Sequence, residues 1–355
     1  MVMASKSYWR IKRVKGLHLA AEKGYVDLTY IDIRAAGQGL EDLLMTFAER
    51  LAKPRRIIIP DLRNHGESPH TRSMGYVSMA QDVISLLDRM GIERCCVIGH
   101  SMGGKVCTAT EREEEEDLTE GSRVESVAIL DIAPADYSKA LGKGSETWRD
   151  IAVTINSLYG LPLEEVKDKR HADELLAASI QDPLLRAFAL TNLVKEDQAW
   201  KWRIGIQNIK RNMGIIGGFD LGQGLQQPAS VLGLSFPGDA FFVQGGKSPF
   251  IRSRHLEEIM RLFPNFTLQV VNGGRGGAEQ REGMSEGGRV SGEGNSGIEC
   301  WGSRGGGGSG QEKQERRWDR EQGWTGEETI RNAGHWVHSE DPETTLQNVQ
   351  NFLDR

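Results

Sequence analysis

Ser101 in VIGHSMGG, eight histidines, and the carboxylates that close apolar runs (Asp61 in IIIPDLRNHG, Asp131 in AILDIAP) are the residue types that could do covalent chemistry here. A serine hydroxyl is a weak nucleophile at neutral pH, so it needs an adjacent base, and the base needs a third group to orient it. The chemistry that such a set performs is acyl transfer through a covalent intermediate. Ser101 lies in the pattern Gly-x-Ser-x-Gly, but glycine makes up 43 of the 355 residues, and a second match, GMSEG around Ser285, occurs in the same chain. The pattern alone proves nothing.

Context separates the two serines. RRIIIPDL, ERCCVIGH, VESVAILDIAP, AFFVQGG and FTLQVVN are short apolar runs bounded by Gly, Pro or Asn, and so read as strands. Between them SMAQDVISLLDRMG places Met79, Val83, Leu86, Leu87 and Met90 at helical spacing and closes at Gly91. HLEEIMRLFP repeats the device and stops before Pro264. Continuous apolar strands with helices between them imply an α/β fold, with a mostly parallel sheet covered on both faces. A nucleophile at the top of such a sheet requires a buried strand, a sharp turn with small neighbours and a helix. CCVI, Gly99 with Gly103, and KVCTATER supply these around Ser101; Ser285 has charged residues before it and glycine after.

IIIPDLRNHGESPH, VIGHSMGGKV, LDIAPADY, FALTNLV followed by WKWRI, and NAGHWVHSEDPE occur in that order. Together they resemble the α/β-hydrolase superfamily, specifically the small serine esterases of the YbfF and α/β-hydrolase-domain 11 type. The resemblance covers most of 20–271 and 330–355. It implies Ser101 as nucleophile and His335 as base, in the chain order serine, acid, histidine. His338 is the alternative base. His100, beside the nucleophile, and His65, in the DLRNHG loop, take structural roles. In most relatives the acid follows the strand after the cap, where this chain has Lys247 and Ser248. Asp131 matches the family's other station for it, whereas Asp61 belongs to a structural motif.

The resemblance also implies an oxyanion hole made of two backbone amides. One is that of Met102, after the nucleophile. The other comes from a loop where the family has His-Gly and this chain has Ala35-Ala36, which makes Gly37 the second donor. Further expectations follow from the resemblance: a helical cap over 137–226 shaping an apolar acyl site, no cofactor and no metal. WRIGIQ stands where the family carries WR-x-N-L, a change that bears on substrate preference.

Composition bounds the rest. A net charge of −6 gives no field to gather nucleic acid, and the one dense charge run, EREEEED, is acidic. No stretch approaches the ~18 apolar residues that span a bilayer. Four cysteines, two of them adjacent, fit small core residues of a reducing compartment. The segment 1–19 has five Lys or Arg and no acid, which resembles a transit segment, so the expected location is cytoplasmic with mitochondrion or plastid as the alternative. Residues 273–329 are about one-third glycine without apolar periodicity and read as a disordered insertion. The hydrolase core is then 20–136, 227–272 and 330–355. The expected activity is hydrolysis of a small-molecule carboxylic ester or thioester. The rival expectation, drawn from the missing His-Gly, is a catalytically impaired hydrolase fold that binds a ligand.

Overall fold

Residues on successive positions of the apolar strands pack to opposite sides of one sheet, and both sides are buried. Val97, Val127, Ile129 and Phe242 face one core with Met79, Val83 and Leu86. Cys96, Ile98, Ala128, Leu130, Phe241 and Val243 face a second core with Leu346, Val349 and Phe352. Alternation with two apolar faces is what a sheet covered by helices on both sides demands. This computed structural model describes residues 2–5, 12–14, 19–20, 25–33, 47–48, 50–51, 55–110, 123–138, 143–219, 235–271 and 333–355, together with four short strands within 288–324.

In chain order, strands β1 (Val2–Ser5), β2 (Lys12–Val14), β3 (Leu19–Ala20), β4 (Tyr25–Val26), β5 (Tyr30–Ile33) and β6 (Arg56–Pro60) lead to helix α1 (Tyr76–Arg89). Strand β7 (Cys95–His100) turns directly into α2 (Met102–Thr110), and β8 (Val124–Leu130) follows. Helices α3 (Lys143–Tyr159), α4 (Lys169–Leu176) and α5 (Pro183–Leu190), strands β9 (Leu193–Glu196) and β10 (Ala199–Trp202), then α6 (Ile206–Arg211) and α7 (Met213–Gly217) occupy the expected cap. Strand β11 (Asp239–Gly245), α8 (Ser253–Leu262) and β12 (Phe266–Val271) return to the core. Four short strands, β13 (Gly288–Ser291), β14 (Glu299–Gly302), β15 (Arg316–Asp319) and β16 (Gly323–Trp324), precede α9 (Val337–Glu340) and α10 (Pro342–Leu353).

The main sheet has the order β12-β11-β8-β7-β1-β6-β5-β2. Strands β7, β8, β11 and β12 run parallel to one another. Strand β1 lies antiparallel between β7 and β6, pairing Met3 with both Val97 and Ile58. The expected N-terminal segment 1–19 thus contributes a strand to the main sheet, although MVMAS carries neither alternation nor a β-branched run. The parallel half, β7 to β12, places the loops that follow β7, β8 and β11 at one edge, where the site is built.

The cap is not wholly helical. LVKE and AWKW form an antiparallel hairpin, with Asp197 and Gln198 both at positive φ in its turn. Trp202 reaches from it to donate to the Leu158 carbonyl at 3.1 Å. The expected insertion, 273–329, contains β13 to β16, paired antiparallel with one another. The rest of that segment lies outside the described residues.

Two polar anchors are buried beneath the site. Arg63 forks onto the Asp82 carboxylate of α1 at 2.6 and 2.7 Å, both side chains inaccessible, and so ties the DLRNHG loop to that helix. Lys105 of α2 donates to the carbonyls of Gly217 and Gly218 at the end of α7 from among the rings of Tyr76, Tyr137 and Phe219. Burial pushes its amine down to about 7. No helix among the described residues is long and apolar enough to cross a membrane.

Candidate active site

Strand β7 ends at His100, and the next residue is held at φ 52, a left-handed conformation that a non-glycine residue seldom adopts. The turn persists because its surroundings over-determine it. The Ser101 amide donates to the Leu130 carbonyl at 3.0 Å and its own carbonyl accepts from Gly104 at 2.9 Å. A Cβ on Gly99 would lie 2.3 Å from the Gly103 carbonyl oxygen, so strand and helix can approach this closely only with glycine there. The sharp turn lifts the Ser101 hydroxyl clear of the sheet, as the strand, small neighbours and helix of the sequence require.

Asp131 directly follows the adjacent strand β8, also at positive φ (51°), and is fully buried. One carboxylate oxygen accepts from the Gly245 amide at 2.8 Å, and the Ser248 hydroxyl bonds to the same group. Burial pushes the Asp131 carboxyl up, and the bonds from His335, Ser248 and Gly245 oppose that shift. The loop after β11 carries no acid of its own; Gly245, the last residue of β11, and Ser248 in that loop are both donors to the acid that follows the neighbouring strand.

His335 precedes α9 and stands between the two. Its Nδ1 is 2.8 Å from Asp131 Oδ2 and its Nε2 is 2.9 Å from Ser101 Oγ. A carboxylate can only accept, so Nδ1 carries the hydrogen and Nε2 is left to accept from the serine hydroxyl. The ring packs on Phe250 with centroids 4.1 Å apart, and Trp336 beside it packs on Phe188 of the cap at 4.6 Å. These rings are the apolar neighbours of the base.

The structure thus brings Ser101, His335 and Asp131 into one hydrogen-bonded chain. His338, the alternative base, is buried behind His100 in an edge-on contact at 4.6 Å, with an unpartnered Nδ1 and no bond to Ser101. Burial and the neighbouring His335 lower it to about 4. Asp61 accepts from the Glu67 amide and shapes the DLRNHG turn, while His65 Nδ1 meets the Arg63 carbonyl; neither joins the chain. Met102 is the first residue of α2, where helical amides have no partner within the helix and the dipole favours negative charge. Gly37, the other expected oxyanion donor, lies outside the described residues. His100, expected in a structural role, meets the His335 carbonyl through Nε2 at 2.8 Å, while Glu340, which the sequence does not single out, accepts from the Gly334 and Trp336 amides through its carboxylate. No periodicity marks Glu340. Among the described residues no cluster of His, Cys, Asp and Glu could hold a metal ion.

Residues 42–281 match the family model for the alpha/beta hydrolase fold. The chain is 32% identical over 237 residues to the sn-1-specific diacylglycerol lipase ABHD11 of Xenopus laevis, covering 66% of this chain and 70% of that protein. It is 26% identical over 316 residues to esterase YbfF of Escherichia coli, covering 89% of each. Among solved structures, a marine microorganism esterase superposes with a TM-score of 0.65 at 22% identity, covering 92% of this chain and 98% of that one, which is a likeness of fold.

Proposed function

The chain belongs to the α/β-hydrolase family, and on that footing we propose that it is a serine hydrolase cleaving carboxylic esters or thioesters through an acyl-enzyme. The observation that carries this reading is the chain of bonds Ser101 Oγ, His335 Nε2, His335 Nδ1, Asp131 Oδ2, with Asp131 itself held by Gly245. The relatives named as esterases and lipases support the same class of reaction.

In this reading Ser101 Oγ attacks the acyl carbon while His335 Nε2 takes its proton, and Asp131 stabilises the imidazolium that results. The charge on the carbonyl oxygen is met by the Met102 amide at the start of α2, with the amide of Gly37 as the second donor that the family resemblance implies. Collapse breaks the bond to the alcohol or thiol, which leaves with the proton from His335. Water then gives its proton to His335, attacks the acyl-serine and releases the acid. Phe250 and Trp336, packed on His335, and Phe188, packed on Trp336, are the apolar groups that would receive an acyl chain. The reaction needs no cofactor.

The test is a panel of p-nitrophenyl esters of rising chain length, an acyl thioester and a diacylglycerol, with the acylated protein trapped by acid quench and weighed. A burst of alcohol equal to the enzyme and a mass gain of one acyl group are expected. A folded protein that turns over none of these would favour the rival reading, a binding protein whose oxyanion loop has lost its His-Gly.

A further inference from the structure

We propose that His100 is a positioning residue for the base, holding the main chain of His335 while Asp131 holds its ring. The inference rests on the hydrolase reading above and adds a member to its machinery. The triad accounts for both ring nitrogens of His335 and for nothing in its backbone, yet a base is useful only while its Nε2 stays within hydrogen-bond reach of the nucleophile.

The geometry comes from the turn itself. At Ser101 the chain runs through a left-handed φ, so the side chains of His100 and Ser101 diverge, and both meet His335: the hydroxyl meets Nε2, and His100 Nε2 meets the backbone carbonyl at 2.8 Å. A carbonyl only accepts, so His100 Nε2 is the donor and carries the hydrogen. The two imidazoles are tilted 39° to one another with centroids 4.7 Å apart, and Trp336 and His338 also pack on His100, at 5.4 and 4.6 Å. The nucleophile and the base are thereby tied through adjacent residues of one rigid turn, and a movement of either is felt by the other.

The flanking amides complete the clamp. Glu340 accepts from Gly334 and from Trp336 at 2.7 and 3.1 Å, and the Ala333 carbonyl accepts from Lys247 at 2.8 Å. Glu340 is exposed, whereas the His100 bond is part-buried among the rings around it. A neutral donor is what this place requires, because a cation there would oppose the imidazolium that forms on His335. Burial, with His335 and His338 adding to it, holds His100 well below the usual histidine range and keeps it uncharged.

The test compares His100→Gln, whose amide NH₂ can reach the same carbonyl, with His100→Met, which keeps the bulk and removes the donor. Turnover of a p-nitrophenyl ester and the second-order rate of fluorophosphonate labelling are measured on both, beside wild type and Ser101→Ala. A displacement of ~1 Å can cost ~10²-fold, so His100→Met should lose ~10- to 100-fold in kcat and in labelling rate, with KM changed less than ~3-fold. His100→Gln should recover to within ~5-fold of wild type. If His100→Met does not fold, His100→Asn takes its place, since its shorter amide falls short of the carbonyl and should be as slow. A donor-free variant at the wild-type rate, or a His100→Gln as slow as His100→Met, overturns the inference, because packing alone would then explain the ring. A wild-type protein that neither hydrolyses ester nor takes the label overturns the hydrolase reading and this inference with it.

Discussion

Replacing Asp131 by Asn changes one atom of the acid and should still disable the base, for a reason that lies in Gly245. One carboxylate oxygen of Asp131 accepts from the Gly245 amide and the other from His335 Nδ1. An asparagine side chain has a single acceptor oxygen, and the fixed amide of Gly245 claims it, because turning the NH₂ towards that buried N–H would set donor against donor. The NH₂ therefore faces His335, which must accept at Nδ1 and move its hydrogen to Nε2. In that tautomer Nε2 cannot accept from Ser101 Oγ. The loss expected for a triad locked in the wrong tautomer is ~10⁴ in kcat, equivalent to ~5.4 kcal/mol of transition-state stabilisation at 1.36 kcal/mol per factor of ten. Because the substitution is nearly isosteric, the melting temperature should stay within a few degrees. The assay is ester turnover with active-site titration, beside thermal melting. An Asp131→Asn protein within tenfold of wild type would refute the reasoning and remove Asp131 from the triad.

Three further outcomes follow from the same geometry. His335→Ala should lose nearly as much turnover as Ser101→Ala, on the order of 10⁶, while His338→Gln should stay within a few-fold of wild type; steady-state kinetics on the three variants checks this. His338 is held near 4 in the folded protein against 6.5 unfolded, so the unfolded chain binds the extra proton between those values. Stability should then rise with pH across that window and fall as pH drops from 6.5 to 4, by on the order of 3 kcal/mol for this group. Melting curves at pH 7, 5.5 and 4.5 should show a smaller decline in His338→Gln than in wild type. Excision of Gly274 to Glu328, joining the strand that ends at Val271 to the loop of His335, should leave a folded and active protein, because closure of a long loop costs only ~0.6 kcal/mol more per doubling; melting temperature and turnover of the deletion read the result.

Much of the site is legible from residue types because its requirements are local. A strand, a glycine that tolerates close approach and a helix are all visible within VIGHSMGGKV, and they mark the one serine that can stand above a sheet. Asp131 is visible as the carboxylate closing an apolar run, but its partners Gly245 and Ser248 are 114 and 117 residues away and reach it only because β8 and β11 pair in register. The partner of His100, and Glu340 altogether, are hidden for a like reason: what these side chains hold is a peptide group, which no side-chain pattern reports. The hairpin of β9 and β10 is hidden behind a helical-looking LTNLV, since its turn uses Asp-Gln where the usual signal is Asn-Gly or Asp-Gly. The place of Val2–Ser5 between β6 and β7 is set by the sheet and not by any preference of MVMAS.

The most direct test of the central claim is to treat the full chain with a fluorophosphonate, digest it and locate the adduct by mass spectrometry. An adduct on the peptide containing Ser101, lost in Ser101→Ala and strongly slowed in His335→Ala, is the predicted result. A folded protein that takes no label, or one labelled at Ser285 or any other residue with Ser101 untouched, would contradict it.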